Sequence, residues 1–284
     1  MKAFWAISVF KQQQYNGFNI ISYHSHQGGP DVGALLGLHA NEIGPVIEGG
    51  ELNLQHPLLL AISELMPSIN ISMLADPFQG VVPKGQRGLR TGELWVDTNR
   101  IADIKDPEEI QGCHNGHRDM LTPLIKKGHK LLATAGQLWG NLPVLSLHAD
   151  QPHALSLSES LSEPGMKTPS YHYAYAAWRT RKYHDTDLQG LWNTHVSTLP
   201  ASTIIAPKKY LLAPDQALGN SDIKLRNGLI KLPDPIPDGT FENQLVVEGI
   251  APATICLELP LGPISLQQQI LSNFLQRFLI PMVS

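Results

Sequence analysis

The sequence has 284 residues, 42% of them hydrophobic and 16% charged, with 24 glycines and 22 prolines; this is a loop-rich globular composition, and it excludes a fibrous or disordered chain. A formal charge of −4 offers neither nucleic acid nor an anionic membrane a basic face to bind. The two cysteines, Cys113 and Cys256, exclude a disulfide scaffold and read as free thiols in a reducing compartment.

At the start of the chain, Lys2 precedes a short apolar run, Ala3 to Phe10, with no small-residue cleavage pattern behind it. No signal peptide is expected. No run of about 18 apolar residues follows, so a cytoplasmic protein is expected. Buried strands are expected at Phe18–Tyr23, Val32–Leu38, Ile71–Leu74, Leu94–Val96, Val144–Leu147 and Thr254–Leu257, each an apolar run bounded by Gly, Pro, Asn or Asp. Helices are expected over His56–Leu65, Asp119–Lys127 and Ser170–Trp192. This alternation indicates an α/β fold with a mostly parallel or mixed sheet, as one domain over residues 1–284. Residues 203–249 read as a β-rich excursion, with a hairpin at Asn227-Gly228 inside Lys224–Leu232. A lid, a pocket rim or a contact in a homo-oligomer all fit that composition. After Pro263, Ser265 is expected to cap a helix whose apolar face is Leu266, Ile270, Leu271, Phe274, Leu275 and Phe278.

Four segments carry chemistry. In Gly37-Leu38-His39-Ala40-Asn41-Glu42, an imidazole and a carboxylate stand three apart just after an apolar run. A strand ending there can aim both at one metal ion beyond the carboxyl edge of a sheet. Val144 to His148 is a second apolar run that ends in histidine. His39, Glu42 and His148 together would leave zinc an open position for water or substrate, as catalytic sites do. In Thr254 to Leu259, Glu258 interrupts an apolar strand, and a carboxylate beside an activated water suits a general base. Cys256 falls on the same face. In Glu93 to Arg100, preceded by Arg87 and Arg90, an arginine fork suits a substrate carboxylate and Asn99 adds a donor. Asp97 can accept the second N–H of a ligating histidine.

The order His-x-x-Glu, Asp97-Thr98-Asn99-Arg100, strand-His148, strand-Glu258 resembles the zinc metallocarboxypeptidases and their relatives, the succinylglutamate desuccinylases and aspartoacylases. The resemblance covers about residues 30 to 275. It implies a phosphorylase/hydrolase-like carboxypeptidase fold, with a mixed sheet of about eight strands between helices. It also implies one zinc, Glu258 as general base, and Asn99 with Arg100 binding a substrate carboxylate. An earlier arginine polarises the carbonyl in the family; Arg90 is preferred to Arg87, and Tyr210 is the candidate capping tyrosine. Ala40 and Thr98 depart from the family's glycine and leucine. Twenty-six residues follow Glu258, where desuccinylase and aspartoacylase relatives carry a further β-rich domain, so the peptidase branch is expected.

Among the other histidines, Cys113, His114 and His117 lack a fourth ligand at structural-zinc spacing. His172, His184 and His195, with Tyr171, Tyr173, Tyr175 and Arg179, are expected on a polar and aromatic helix face. The expected activity is zinc-dependent hydrolysis of an amide bond next to a carboxylate, in a peptide or an N-acyl amino acid. Two rival classes are a binding protein on a degenerate peptidase fold and a cysteine hydrolase using Cys256.

Overall fold

The computed structural model describes residues 9–39, 43, 45–83, 86–150, 173–180, 183, 185–199, 204–205, 224–226, 229–231, 239–260 and 263–284. The chain begins with β1 (Phe10–Tyr15), β2 (Phe18–Tyr23) and β3 (Asp31–Leu36). A small hairpin, β4 (Ile47–Glu48) and β5 (Glu51–Leu52), leads to helix α1 (Pro57–Leu65) and strand β6 (Asn70–Ala75). The hairpin β7 (Gly88–Thr91) and β8 (Leu94–Asp97) precedes the long helix α2 (Arg118–Trp139) and β9 (Val144–Asp150). Then come β10 (Tyr173–Thr180), α3 (Asp185–Ser197), β11 (Ile204–Ile205), β12 (Lys224–Arg226), β13 (Leu229–Lys231), α4 (Phe241–Val247) and β14 (Ala253–Pro260). The chain closes with α5 (Ile264–Phe274), which runs through a π-helical segment, Leu275–Leu279, into α6 (Ile280–Val283).

Among the described residues the main sheet has ten strands in the order β1-β2-β6-β3-β9-β14-β10-β13-β12, with β11 on β10. The fold is therefore α/β with a mixed central sheet, as expected, and two strands beyond the expected eight. Its centre, β6-β3-β9-β14, is parallel throughout. From β3 the chain crosses to β6 on one side, and the later pair β9 and β14 lies on the other. The strand order thus reverses between β3 and β9. In open α/β sheets a crevice opens at such a switch point, beyond the carboxyl ends of the strands.

Two apolar cores cover the sheet. One includes Val32, Ala34 and Leu36 with α1, α3 and the C-terminal helices. The other includes Leu35 with α2, Phe241 and Leu245 of α4, and the β7-β8 hairpin. Consecutive β3 residues point to opposite cores, as the strand period of two requires. Gly33 lets α2 approach β3 closely: a Cβ there would lie 2.7 Å from the Trp139 ring.

Several expectations need correction. Helix α2 continues to Trp139 rather than stopping at Lys127, because Leu131, Leu132, Ala135 and Trp139 extend its buried stripe past Gly128. The expected helix Ser170–Trp192 is a strand, β10, followed by α3. Tyr173, Tyr175 and Ala177 repeat every second residue, a strand period, and β10 pairs with β14. Tyr171, His172 and His184 lie outside the described residues. Leu94–Val96 is a strand, but in the separate β7-β8 hairpin. The expected hairpin at residues 224–231 forms between β12 and β13. The excursion is not wholly β, because Thr240 caps a helix, α4, within it. Helix α5 starts at Ile264 after Pro263, with no side-chain cap from Ser265.

Candidate active site

His39 lies just past the end of β3, and His148 lies on β9 one register beyond the last β3-β9 pair, Leu36 with Leu147. The two imidazoles, both buried, sit with ring centroids 5.3 Å apart at the switch point. Ser146 and His148 on β9 pair with Cys256 and Glu258 on β14. In a parallel pair these four share one face. The face carries Val144 and Thr254 at its inner end and becomes polar toward the carboxyl edge.

Each imidazole is fastened from behind. His39 Nε2 lies 2.7 Å from Asp97 Oδ1, and His148 Nε2 lies 2.8 Å from Glu242 Oε1. An ionised carboxylate only accepts, so in both rings Nε2 donates a hydrogen. Burial alone would raise both carboxyls. For Asp97 it is outweighed by the His39 hydrogen bond and charge, then by the Arg87 charge and the Asn99 N–H, leaving the group well below the usual carboxylate range. For Glu242 the His148 hydrogen bond and charge, then the Ser146 hydroxyl, have the same effect. Backing carboxylates of this kind fix the tautomer and orientation of metal-ligating histidines.

Asp97 organises more than His39. It accepts the Arg87 Nε–H at 3.2 Å and caps the 3-10 turn Thr98–Arg100 by accepting the Asn99 N–H at 2.8 Å. The buried Thr98 hydroxyl lies 2.7 Å from the Leu38 carbonyl oxygen and 3.0 Å from that of Arg87. A leucine at this position could not join these two segments. Asn99 accepts the Phe241 N–H at 3.1 Å and donates to Glu242 at 3.3 Å. Its amide is thus engaged at both ends, tying the turn to α4, while Arg100 is exposed at the turn's end.

Of the two earlier arginines, Arg87 is the one committed to Asp97. Arg90 is exposed on β7, opposite Trp95. Glu258 is half-buried and lies in register with His148. Glu42 and Tyr210 lie outside the described residues. Asp76 accepts the Val46 and Ile47 N–H groups. Asp76 also packs against Gly37, whose positive φ of 69° and lack of room for a Cβ require glycine. Burial pushes the Asp76 carboxyl up to about 6, against those two N–H donors.

Glu242 is the site residue that sequence reasoning missed. Besides His148 and Asn99 it accepts the Ser146 hydroxyl at 2.6 Å. His148, Glu242 and Cys256 also bring their potential ligand atoms within 4.8 Å of one another. The 2.8 Å between His148 and Glu242 is also an ordinary hydrogen-bond separation, so this pair is accounted for without an ion. Burial pushes the Cys256 thiol up to about 12, with His148 opposing and Glu258 and Glu242 adding, although the residue as a whole is half-buried. A thiol so disfavoured as thiolate is poorly suited to nucleophilic attack. His114 and His117 stack at 3.7 Å and cap a 3-10 turn through their own ring nitrogens. His195 is packed between Trp192 and Phe274.

No family model matches the sequence, and no curated protein matches it. Among solved structures, the chain is similar to a candidate metallopeptidase from Shewanella denitrificans, with TM-score 0.47 and 16% identity over 99% of this chain and 88% of that one. It is similar to carboxypeptidase A from Helicoverpa armigera, with TM-score 0.47 and 11% identity over 97% and 68% of the two chains. A succinylglutamate desuccinylase/aspartoacylase from Rhodobacter sphaeroides matches with TM-score 0.41 and 15% identity over 93% and 58%.

Proposed function

We propose that this chain is a zinc-dependent hydrolase that cleaves an amide bond next to a substrate carboxylate, with the metal held by His39, Glu42 and His148. The observation that carries this reading is the pair of buried imidazoles 5.3 Å apart at the switch point, each backed through Nε2 by a carboxylate. Two nitrogens and a carboxylate oxygen suit zinc and leave it a position for water or substrate. Zinc bound there supplies a Lewis acid that polarises a carbonyl and acidifies a water.

The remaining roles fall to the chain's own groups. Glu258, on the His148 face of the sheet, takes the proton of the attacking water and returns it to the leaving amine. Arg90 donates to the carbonyl oxygen as charge develops there, while Arg87 braces Asp97. Arg100 pairs with the substrate carboxylate, and Asn99 holds its turn against α4. Tyr210 is assigned to close over the bound substrate.

The test is hydrolysis of a panel of peptides and N-acyl amino acids, with and without a chelator. Activity is expected to vanish on chelation and return with zinc. Glu258→Gln is expected to lower kcat by about 10²- to 10⁴-fold with zinc content unchanged. Activity that survives chelation and is lost on thiol alkylation would replace this reading with a cysteine hydrolase.

A further inference from the structure

Asn99 stands between the two carboxylates that back the imidazoles. Its backbone N–H lies 2.8 Å from Asp97 Oδ1, the oxygen that takes His39 Nε2 at 2.7 Å. Its side-chain Nδ2 lies 3.3 Å from Glu242 Oε1, the oxygen that takes His148 Nε2 at 2.8 Å. A continuous chain of hydrogen bonds therefore runs His39-Asp97-Asn99-Glu242-His148, and it joins the two imidazoles through one residue that is 9% exposed. The neighbours fix which way the amide points. The Phe241 N–H can only donate, so Oδ1 faces it at 3.1 Å; the Glu242 carboxylate can only accept, so Nδ2 faces that. A flipped amide would set donor against donor and acceptor against acceptor.

Resting on the metal site proposed above, we infer that Asn99 is a positioning residue that sets the two imidazoles as one unit, a role distinct from the donation to a substrate carboxylate that the family resemblance implies. The groups it joins come from separate elements: His39 from the end of β3, His148 from β9, Asp97 from the β7-β8 hairpin and Glu242 from α4. Each histidine could be held by its own carboxylate and still stand wrongly for the other. A metal reads both nitrogens together, and its bond lengths tolerate an error of only about 0.2 Å. A donor shared by both carboxylates removes that freedom. The bond to Asp97 comes from the backbone, which any non-proline substitution keeps, whereas the bonds to Glu242 and Phe241 come from the side chain. Loss of the side chain is therefore felt first at Glu242 and His148.

The test begins with the metal-free protein. Its histidine ring nitrogens are isotope-labelled, and the Nε2–H signals of His39 and His148 are assigned by NMR from their loss in His39→Ala and His148→Ala. Asn99→Ala is expected to shift the His148 signal and speed its exchange with water, with a smaller change at His39. Zinc affinity, measured by competition with a chelator, is expected to fall about tenfold, the low end of the cost of losing a group behind a ligand. Because Asn99 acts through Glu242, the same substitution made in Glu242→Gln is expected to cost almost nothing further. Asn99→Ser, whose hydroxyl is one bond short of both partners, repeats the test should Asn99→Ala fail to fold. A residue that only donates to the substrate carboxylate, through the second Nδ2 hydrogen, would raise KM and leave ring signals and zinc affinity alone. An unmoved His148 signal or an unchanged zinc affinity therefore overturns the inference. A full tenfold loss in Glu242→Gln as well also overturns it, since that marks general loosening of the site. Neither readout needs turnover. A protein whose ring signals answer to Asn99 but that hydrolyses nothing, or holds no zinc, keeps the positioning role and loses the hydrolase reading.

Discussion

Glu242 accepts three hydrogen bonds at one buried oxygen, from His148, Ser146 and Asn99. A carboxylate is stable in such a place only because these donors replace its water. It also links one imidazole of the centre to the turn that carries Arg100. Glu242→Gln keeps the shape but removes the charge that holds the Nε2 hydrogen, and loss of such a backing group typically costs about 10- to 100-fold in metal affinity. A competition titration against a chelator should show that loss with the fold intact by circular dichroism; an unchanged zinc affinity would reduce Glu242 to a packing role. That Asp97 could back a ligating histidine was legible in the sequence because it falls in a short recognisable segment; that the histidine is His39 came from the structure. Glu242 was not legible, since it lies in a stretch without a motif and its partner His148 is 94 residues away. Only the register of β9 and β14 and the cap at Thr240 bring the two together.

At the scale of elements, two contacts make the packing testable. Helix α2 lies so close to β3 that Gly33→Ala would press a methyl group into the Trp139 ring. Overpacking of this kind costs about 1–3 kcal/mol, which urea denaturation should report; a neutral substitution would mean that α2 can move outward freely. The second contact is at the start of α1, where buried His56 accepts the Leu58 N–H through Nδ1. Burial lowers its pKa to about 4, from an ordinary value of 6.5, and buried His195 is lowered to about 4 as well. A folded-state pKa below the unfolded one means that stability is present above 6.5 and is lost as pH falls through that window toward 4. For a fully buried histidine the loss is on the order of 3 kcal/mol. Asp76, raised to about 6, acts in the opposite sense: its contribution is present below 3.8 and is lost as pH rises through about 6. Asp97 and Glu242, both lowered, add their own loss only further into acid. His56→Asn keeps an acceptor at the cap without the titration, so thermal denaturation should fall less steeply between pH 6.5 and 4 than in the unmutated protein. An unchanged slope would place the acid sensitivity elsewhere. The apolar runs marked β3, β6, β9 and β14 because buried parallel strands are nearly continuous in hydrophobicity, and β2, antiparallel to both its neighbours, was marked by a similar run. The β10 strand was misread as helix because its aromatic and alanine residues suit both periods locally, and pairing with β14 decides between them.

At the scale of the whole molecule, the reversal of strand order between β3 and β9 explains where the chemistry gathers. Parallel strands of a doubly wound sheet cannot close a gap at their switch point, so side chains from both flanking ends can meet there. His39 and His148 occupy those two ends, and Asp97 and Glu242 arrive from the hairpin and helix that cover the same face. No described helix is long and apolar enough to cross a membrane. The order of the site segments along the chain was readable in advance, since each histidine follows an apolar run, but the crevice itself follows from topology that no single segment encodes.

The most direct measurement is zinc content by elemental analysis of the purified protein, compared across unmutated protein, His39→Ala, His148→Ala and Cys256→Ser. About one zinc per chain is expected in the unmutated protein and in Cys256→Ser, and none in either histidine variant. Zinc retained by His39→Ala but lost from Cys256→Ser would move the metal to the His148, Glu242 and Cys256 group. An unmutated protein that holds no zinc and cannot be loaded with it would contradict the account at its centre.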